Sequence, residues 1–136
     1  MKAYIAVSFS KRKLFAKVIM AITETLTHSG IEPLVFIDQH TFLAEQEQEM
    51  MEQAMKDIDG CDLLIAETSE KAIGIGIEAG YAKGKGKPVI YLRHSSAEHS
   101  TTLSGISDHT VIYKNDDDLK IKLSAVLEKL QLRRKA

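Results

Sequence analysis

The sequence predicts an α/β fold, a doubly wound parallel sheet of five strands flanked by helices. Three observations carry the prediction. Short β-type runs alternate with longer stretches of helical periodicity, the pattern of strand–helix–strand units. One run, Asp62-Leu63-Leu64-Ile65-Ala66, is apolar on both faces, as a central parallel strand covered by helices on each side must be. The 136 residues hold one complete core, are too few for two ordinary domains and show no repeat or linker, so residues 1–136 are read as one domain.

Taken in order, Ala3 to Val7 is the first strand. Leu14, Phe15, Val18, Ile19, Ile22 and Leu26 recur at helical spacing up to His28-Ser29-Gly30, which predicts a helix over about 11–29 ended by the glycine. Pro33-Leu34-Val35-Phe36-Ile37 is strand two. In the helix that follows, Phe42, Leu43, Met50, Met51, Ala54, Met55 and Ile58 form an apolar stripe, with Thr41 as its cap. Strand three runs through residues 62–66 and lies mid-sheet. A short third helix covers 74–83, strand four covers 88–92, and Thr110-Val111-Ile112-Tyr113 is an edge-type fifth strand. A last helix buries Leu119, Leu123, Val126, Leu127 and Leu130, and Arg133-Arg134-Lys135 reads as a solvated tail rather than a binding patch.

Composition narrows the function. At 44% hydrophobic and 27% charged, with 2 Pro and 8 Gly, the chain is neither disordered nor of low complexity. A net charge of -1 provides no global field for a polyanion, which argues against nucleic acid or an anionic membrane as partner. The first residues hold too short an apolar run for a signal segment and no stretch approaches a membrane span, so a cytoplasmic location is expected. The single cysteine, Cys61, lies among apolar residues and reads as a core residue. His94 and His99 lie five apart with no partner cysteine or carboxylate cluster, so no metal site is expected.

A doubly wound sheet of this flavodoxin- or Rossmann-like kind takes its ligands at the carboxyl ends of its strands. After strand one, Ser8-Phe9-Ser10-Lys11-Arg12-Lys13 brings two hydroxyls and three cations into the start of a helix, a local anion site suited to a phosphate. The same residues also read as an N-cap serine followed by solvated lysines. Neither a G-x-G-x-x-G nor a G-x-x-x-x-G-K-[ST] motif is present. After strand two come Asp38 and His40, the latter able to stack on a nucleobase or merely to lie exposed. After strand three, Gly74-Ile75-Gly76-Ile77-Glu78-Ala79-Gly80-Tyr81-Ala82 allows close backbone approach to a ligand and sets Glu78 within the first turn or so of a helix. A carboxylate there is kept ionised by the helix dipole, as a nucleophile requires; it equally reads as a dipole-complementing residue. Lys83-Gly84-Lys85-Gly86-Lys87 falls at the wrong edge of the sheet for a phosphate loop and reads as a flexible solvated turn.

Residues 62–67, the glycine-glutamate segment 74–82 and Gly86-Lys87-Pro88-Val89-Ile90, in that order, resemble the signature of the nucleoside 2-deoxyribosyltransferase superfamily. The likeness is nearest to its short branch, the 2'-deoxynucleoside 5'-monophosphate N-glycosidases, and covers most of the chain. The resemblance implies that Glu78 attacks C1' of the sugar, expels the base and forms a glycosyl-enzyme ester resolved by water or another base. It implies that Tyr4 reaches the active site, that Ser8 and the Gly74 backbone contact the 5'-phosphate, and that Thr102 reaches the phosphate of a neighbouring subunit in a homodimer. No cofactor is implied. Two departures stand out: Ala54 replaces an aspartate that positions the nucleophile or protonates the base, and Ala72 replaces a phosphate-binding serine. Phosphate binding then rests more on Ser10, Lys11 and Arg12, and either Asp57 or Asp38 could substitute for the carboxylate, although Asp57 reads more simply as a surface charge. Hydrolysis of a (deoxy)nucleoside monophosphate is thus the leading expectation, because three cations beside Ser8 suit a phosphorylated substrate. Transfer between free nucleosides and a non-catalytic nucleotide-binding module are the alternatives. A receiver domain lacks its acidic pair, and a flavin site lacks aromatic residues near the loops.

Overall fold

The computed structural model describes residues 1–135. Its sheet is all-parallel, in the order β2-β1-β3-β4-β5, with β1 Lys2–Ala6, β2 Glu32–Val35, β3 Leu63–Glu67, β4 Val89–His94 and β5 His109–Tyr113. The helices are α1 Ala16–His28, α2 Phe36–Gln39, α3 Glu47–Asp59, α4 Ile73–Gly84, α5 Thr101–Ile106 and α6 Asp116–Lys135. Strand three is central and strand five is an edge, as the apolar patterns predict. All five residues of β3 are buried.

Alternation along the strands divides the core into two layers. Ala3 and Ile5 of β1 and Val7 just after it face α1 and α6, where Ile22, Leu26 and the Leu119, Leu123, Leu127, Leu130 stripe pack. Tyr4 and Ala6 face α3, α4 and α5, against Ala54, Ile58, Ile75 and Ala79. The chain leaves β1 toward β2 and β3 toward β4 in opposite directions, so β1 and β3 flank the point where the winding reverses.

Several boundaries differ from the sequence reading. The first helix begins at Ala16, not near residue 11; before it, Phe9–Lys11 forms a single 3-10 turn and 12–15 are turns. Leu14 therefore leaves the apolar stripe and is 71% exposed. Strand two ends at Val35, the last residue paired with β1 (to Ile5), and Phe36 starts the one-turn helix α2 instead of extending the strand. The second long helix begins at Glu47 rather than at a Thr41 cap; Phe42 and Leu43 precede it in a loop, where Gln46 Oε1 accepts from Leu43 N at 2.8 Å. Periodicity alone cannot see these ends, because each lies where a strand's partner runs out or a loop's own hydrogen bonds take over. The basic tail is the last turn of α6, and Arg134 Nη1 lies 2.9 Å from Asp62 Oδ1. Nor is the Lys83–Lys87 turn free: Lys83 pairs with Asp108 at 3.1 Å, and Lys87 Nζ donates to the Asp59 carbonyl at 2.9 Å and to the Cys61 carbonyl. Among the described residues no helix is long and apolar enough to cross a membrane.

Candidate active site

Tyr4 and Glu78, 74 residues apart, meet where β1 passes under α4. The Tyr4 side chain points to that helix because position 4 shares its face of the strand with Ala6. Its hydroxyl donates to Glu78 Oε2. The pair lies in a narrow cleft of about 80 Å³ walled by residues 4–7 at the end of β1 and just past it, Phe36 and Ile37 after β2, Met50, Met51 and Ala54 of α3, and Gly74 of α4.

Glu78 is the sixth residue of α4, in its second turn, so the expectation that a first-turn dipole keeps it ionised is corrected. Burial dominates instead and pushes its pKa up to about 7, while the Tyr4 hydrogen bond holds it down. The same burial, followed by the Glu78 charge, carries the Tyr4 hydroxyl far above its ordinary value. Tyr4 therefore serves as a fixed donor that favours the carboxylate.

Gly74 lines this cleft one turn before Glu78, and the α4 N-terminus has no side-chain cap: Ala72 supplies none. No cap side chain accepts from the first amide N–H groups of α4, and Ile75 N donates to the Ala72 carbonyl at 3.2 Å. Ser8 follows Val7 directly and is buried, with its Oγ 3.4 Å from Ser10 Oγ. Because α1 starts at Ala16, Ser8 caps only the short 3-10 turn, without a side-chain bond, and the 8–13 loop does not run into a helix N-terminus.

Arg12 forks onto Asp38, Nε to Oδ1 at 2.9 Å and Nη2 to Oδ2 at 2.7 Å, tying the loop after β1 to α2. The guanidinium holds the Asp38 carboxyl below its usual range. The two expected binding residues thus neutralise each other, leaving Lys11 and Lys13, both exposed, as the loop's other cations.

A buried tyrosine–carboxylate pair in a narrow cleft is thus the centre of the candidate site. The family model for nucleoside 2-deoxyribosyltransferase matches residues 3–128. The chain belongs to that family. The nucleoside 2-deoxyribosyltransferase fold is shared with solved structures at low identity. One is a CMP N-glycosidase of Clostridium botulinum (22% identity, 93% of this chain and 99% of that one, TM-score 0.69). Another is a conserved protein of Enterococcus faecalis V583 (18%, 98% of each chain, 0.68). A third is a 2-deoxyribosyltransferase of Bacillus psychrosaccharolyticus (15%, 88% and 90%, 0.65). No curated protein sequence matches.

Within this family member the remaining candidates separate. Gly76 and Thr102 lie away from the Glu78 cleft, in an apolar hollow of about 430 Å³ between α4 and α5 shared with Ala72 and Ile73. Ala54 lines the cleft where a carboxylate was expected, and it is buried. Asp57, one turn on, is no free surface charge: its Oδ2 lies 2.7 Å from His40 Nε2 and its Oδ1 accepts from Gln53 Nε2 at 2.8 Å. Gln53 went unnoticed in the sequence, although its i, i+4 spacing to Asp57 on a helix was visible. The buried Glu67, which the sequence reading gave no role beyond its place in the family signature, ends β3 and accepts from Tyr113 Oη at 2.6 Å and Ser69 N at 2.5 Å; burial raises its pKa. His94 bonds Ser96 Oγ and the Lys114 carbonyl, and among the described residues no group of three or more His, Cys, Asp or Glu is placed to hold a metal.

Proposed function

We propose that the protein hydrolyses the N-glycosidic bond of a (deoxy)nucleoside 5'-monophosphate through a glycosyl ester on Glu78, releasing free base. The observation that supports this most is the buried Tyr4–Glu78 pair in the cleft beside the α4 N-terminus. Glu78 with a pKa near 7 is substantially ionised at neutral pH, and a desolvated carboxylate aimed into a small cleft is a competent nucleophile. Its attack forms the Oε–C1' bond as the C1'–N bond breaks; water then attacks C1' and frees the carboxylate.

The 5'-phosphate is assigned to the Ser8, Ser10, Lys11 loop and the open amides at Gly74, with Arg12 available only on release from Asp38. His40 and Asp38 line the sugar and base side, and no cofactor takes part. Thr102 serves the neighbouring copy's phosphate in a homodimer: within one protomer it sits across α4 from Glu78, and that helix leaves Ile73 and Ile77 exposed. Gly76 lies on the same flank.

The test is free-base release from a panel of purine and pyrimidine nucleoside 5'-monophosphates and the matching nucleosides, at micromolar enzyme. Glu78→Ala is expected to abolish release from monophosphates, and removing the 5'-phosphate to reduce it at least tenfold. Base exchange between free nucleosides at comparable rate would replace hydrolysis by transfer; saturable nucleotide binding with no release would leave a binding module.

A further inference from the structure

Breaking an N-glycosidic bond puts an electron pair on a base nitrogen, and a natural base leaves readily only if that nitrogen takes a proton. Among the described residues lining the Glu78 cleft, only Tyr4 and Glu78 carry titratable protons. Tyr4 donates its hydrogen to Glu78, and Glu78 is committed to C1'. The proton has to come from just beyond the lining.

We propose that His40, oriented by Asp57 and Gln53, is the proton donor to the leaving base; this rests on the reading of Glu78 as nucleophile. His40 is the C-cap residue of α2, its backbone N–H donating to the Phe36 carbonyl, and its ring centroid lies 4.9 Å from that of Phe36, which itself lines the cleft. His40 and Phe42 border a hollow of about 440 Å³ that shares Ile37 and Met50 with the Glu78 cleft, space for a base beyond the sugar. Asp57 sits one turn after Ala54, which also lines the cleft.

The hydrogen bonds leave His40 with one atom to use. An ionised Asp57 accepts at both oxygens, from Gln53 Nε2 at 2.8 Å and from His40 Nε2 at 2.7 Å, so Nε2 carries a hydrogen and Nδ1 is left without a partner among the described residues. Both Asp57 oxygens are engaged, which locks the ring as a base-and-orienter pair locks a catalytic imidazole. In the imidazolium, Nδ1–H passes to the base nitrogen as C1'–N breaks and Glu78 Oε–C1' forms. The base leaves neutral and the imidazole is neutral. When water then attacks C1' and the ester bond breaks, Nδ1 takes the water's proton, restoring the imidazolium and the free carboxylate. Asp57 and Gln53 are positioning residues.

The experiment compares a natural nucleoside 5'-monophosphate with the 4-nitrophenyl glycoside of the same sugar 5-phosphate, whose phenolate leaves without a proton. His40→Ala is expected to lower base release about 100-fold or more, the scale of a general acid, and to lower nitrophenolate release at least tenfold less than that. Asp57→Asn is expected to lower kcat on the nucleotide about tenfold with KM little changed, and Glu78→Ala to lose both substrates. Should His40→Ala fail to fold, His40→Asn carries the same comparison. Equal losses on the two substrates, or no loss on the nucleotide, would overturn the assignment of His40 while leaving Glu78 as nucleophile. Wild-type enzyme that cleaves neither substrate would overturn the Glu78 reading, and this inference with it.

Discussion

Glu78 carries two opposed demands. As a nucleophile it must be ionised, yet burial raises its pKa to about 7 and Tyr4 alone among the named causes pulls it back. On the 4-nitrophenyl glycoside, whose leaving group needs no proton, activity is therefore expected to rise with pH to a plateau, with its midpoint near 7. Removing the donor in Tyr4→Phe moves that midpoint upward, so kcat/KM for this glycoside at pH 7 falls several-fold and largely recovers by pH 9; an unchanged or lower midpoint in the pH profile would refute the role given to Tyr4. The same shift has a stability sign. A carboxyl whose folded pKa is raised above its ordinary 4.5 stabilises the fold fully below that value and loses its contribution as pH rises through about 7. A rise of that size corresponds to roughly 3 kcal/mol. Glu78→Gln, which still accepts from Tyr4, is expected to melt above wild type at pH 8, with the gap closing near pH 4 in thermal scans. Such a gain on removing a buried acid is how a strained functional residue differs from a structural one.

At the scale of elements, α4 is the one that local propensity would not build. Four of its twelve residues are glycine, and it stands because Ile75, Ala79 and Ala82 are buried against the sheet. An added Cβ at Gly74 or Gly76 would meet nothing within 4 Å, so these glycines are not demanded by packing inside the protomer. Gly30 differs. It ends α1 at a φ of 74°, a conformation that L side chains rarely adopt, and Gly30→Ala is expected to cost about 1 kcal/mol, read as a lower urea midpoint with an unchanged slope. The elements also show where the sequence was legible. The period-3.6 stripes of Leu119, Leu123 and Leu127 and the continuous apolar run of β3 located their elements within a few residues. Leu14 and Phe42 misled because an apolar residue in a loop continues a stripe on paper that the backbone has already left.

For the whole molecule, the winding reversal between β1 and β3 gathers Tyr4, Glu78 and the His40–Asp57 pair from four separate segments onto one face of the sheet. Thr102 is on the far flank of α4, and in the proposed reading it completes the phosphate site of a second copy docked along that helix. Its exposed Ile73 and Ile77, 85% and 48% accessible, are the expected seam. Ile77→Glu is expected to convert a dimer to monomer in sedimentation velocity and to lower turnover more than tenfold while leaving the monomer's circular dichroism intact; a wild type that sediments as monomer with full activity would refute the shared site.

The five strands and the four longer helices in their chain order, the central place of strand three and the candidacy of Glu78 and Ser8 were readable from the chain itself, and that of Tyr4 from the family resemblance, whereas the short helices α2 and α5 were not. Periodicity, apolar runs and motif spacing are local, and the chain expresses them without knowing its fold. Only the tertiary structure decided that Glu78 is raised rather than lowered in pKa, that Arg12 is neutralised by Asp38, that Asp57 is bound to His40 and not to solvent, and that Thr102 lies across the helix from the cleft. Each depends on burial or on a partner 17 to 74 residues away. Desolvation and long-range hydrogen bonds exist only once the sheet has brought those partners together, and no pattern along the sequence encodes the distance between them.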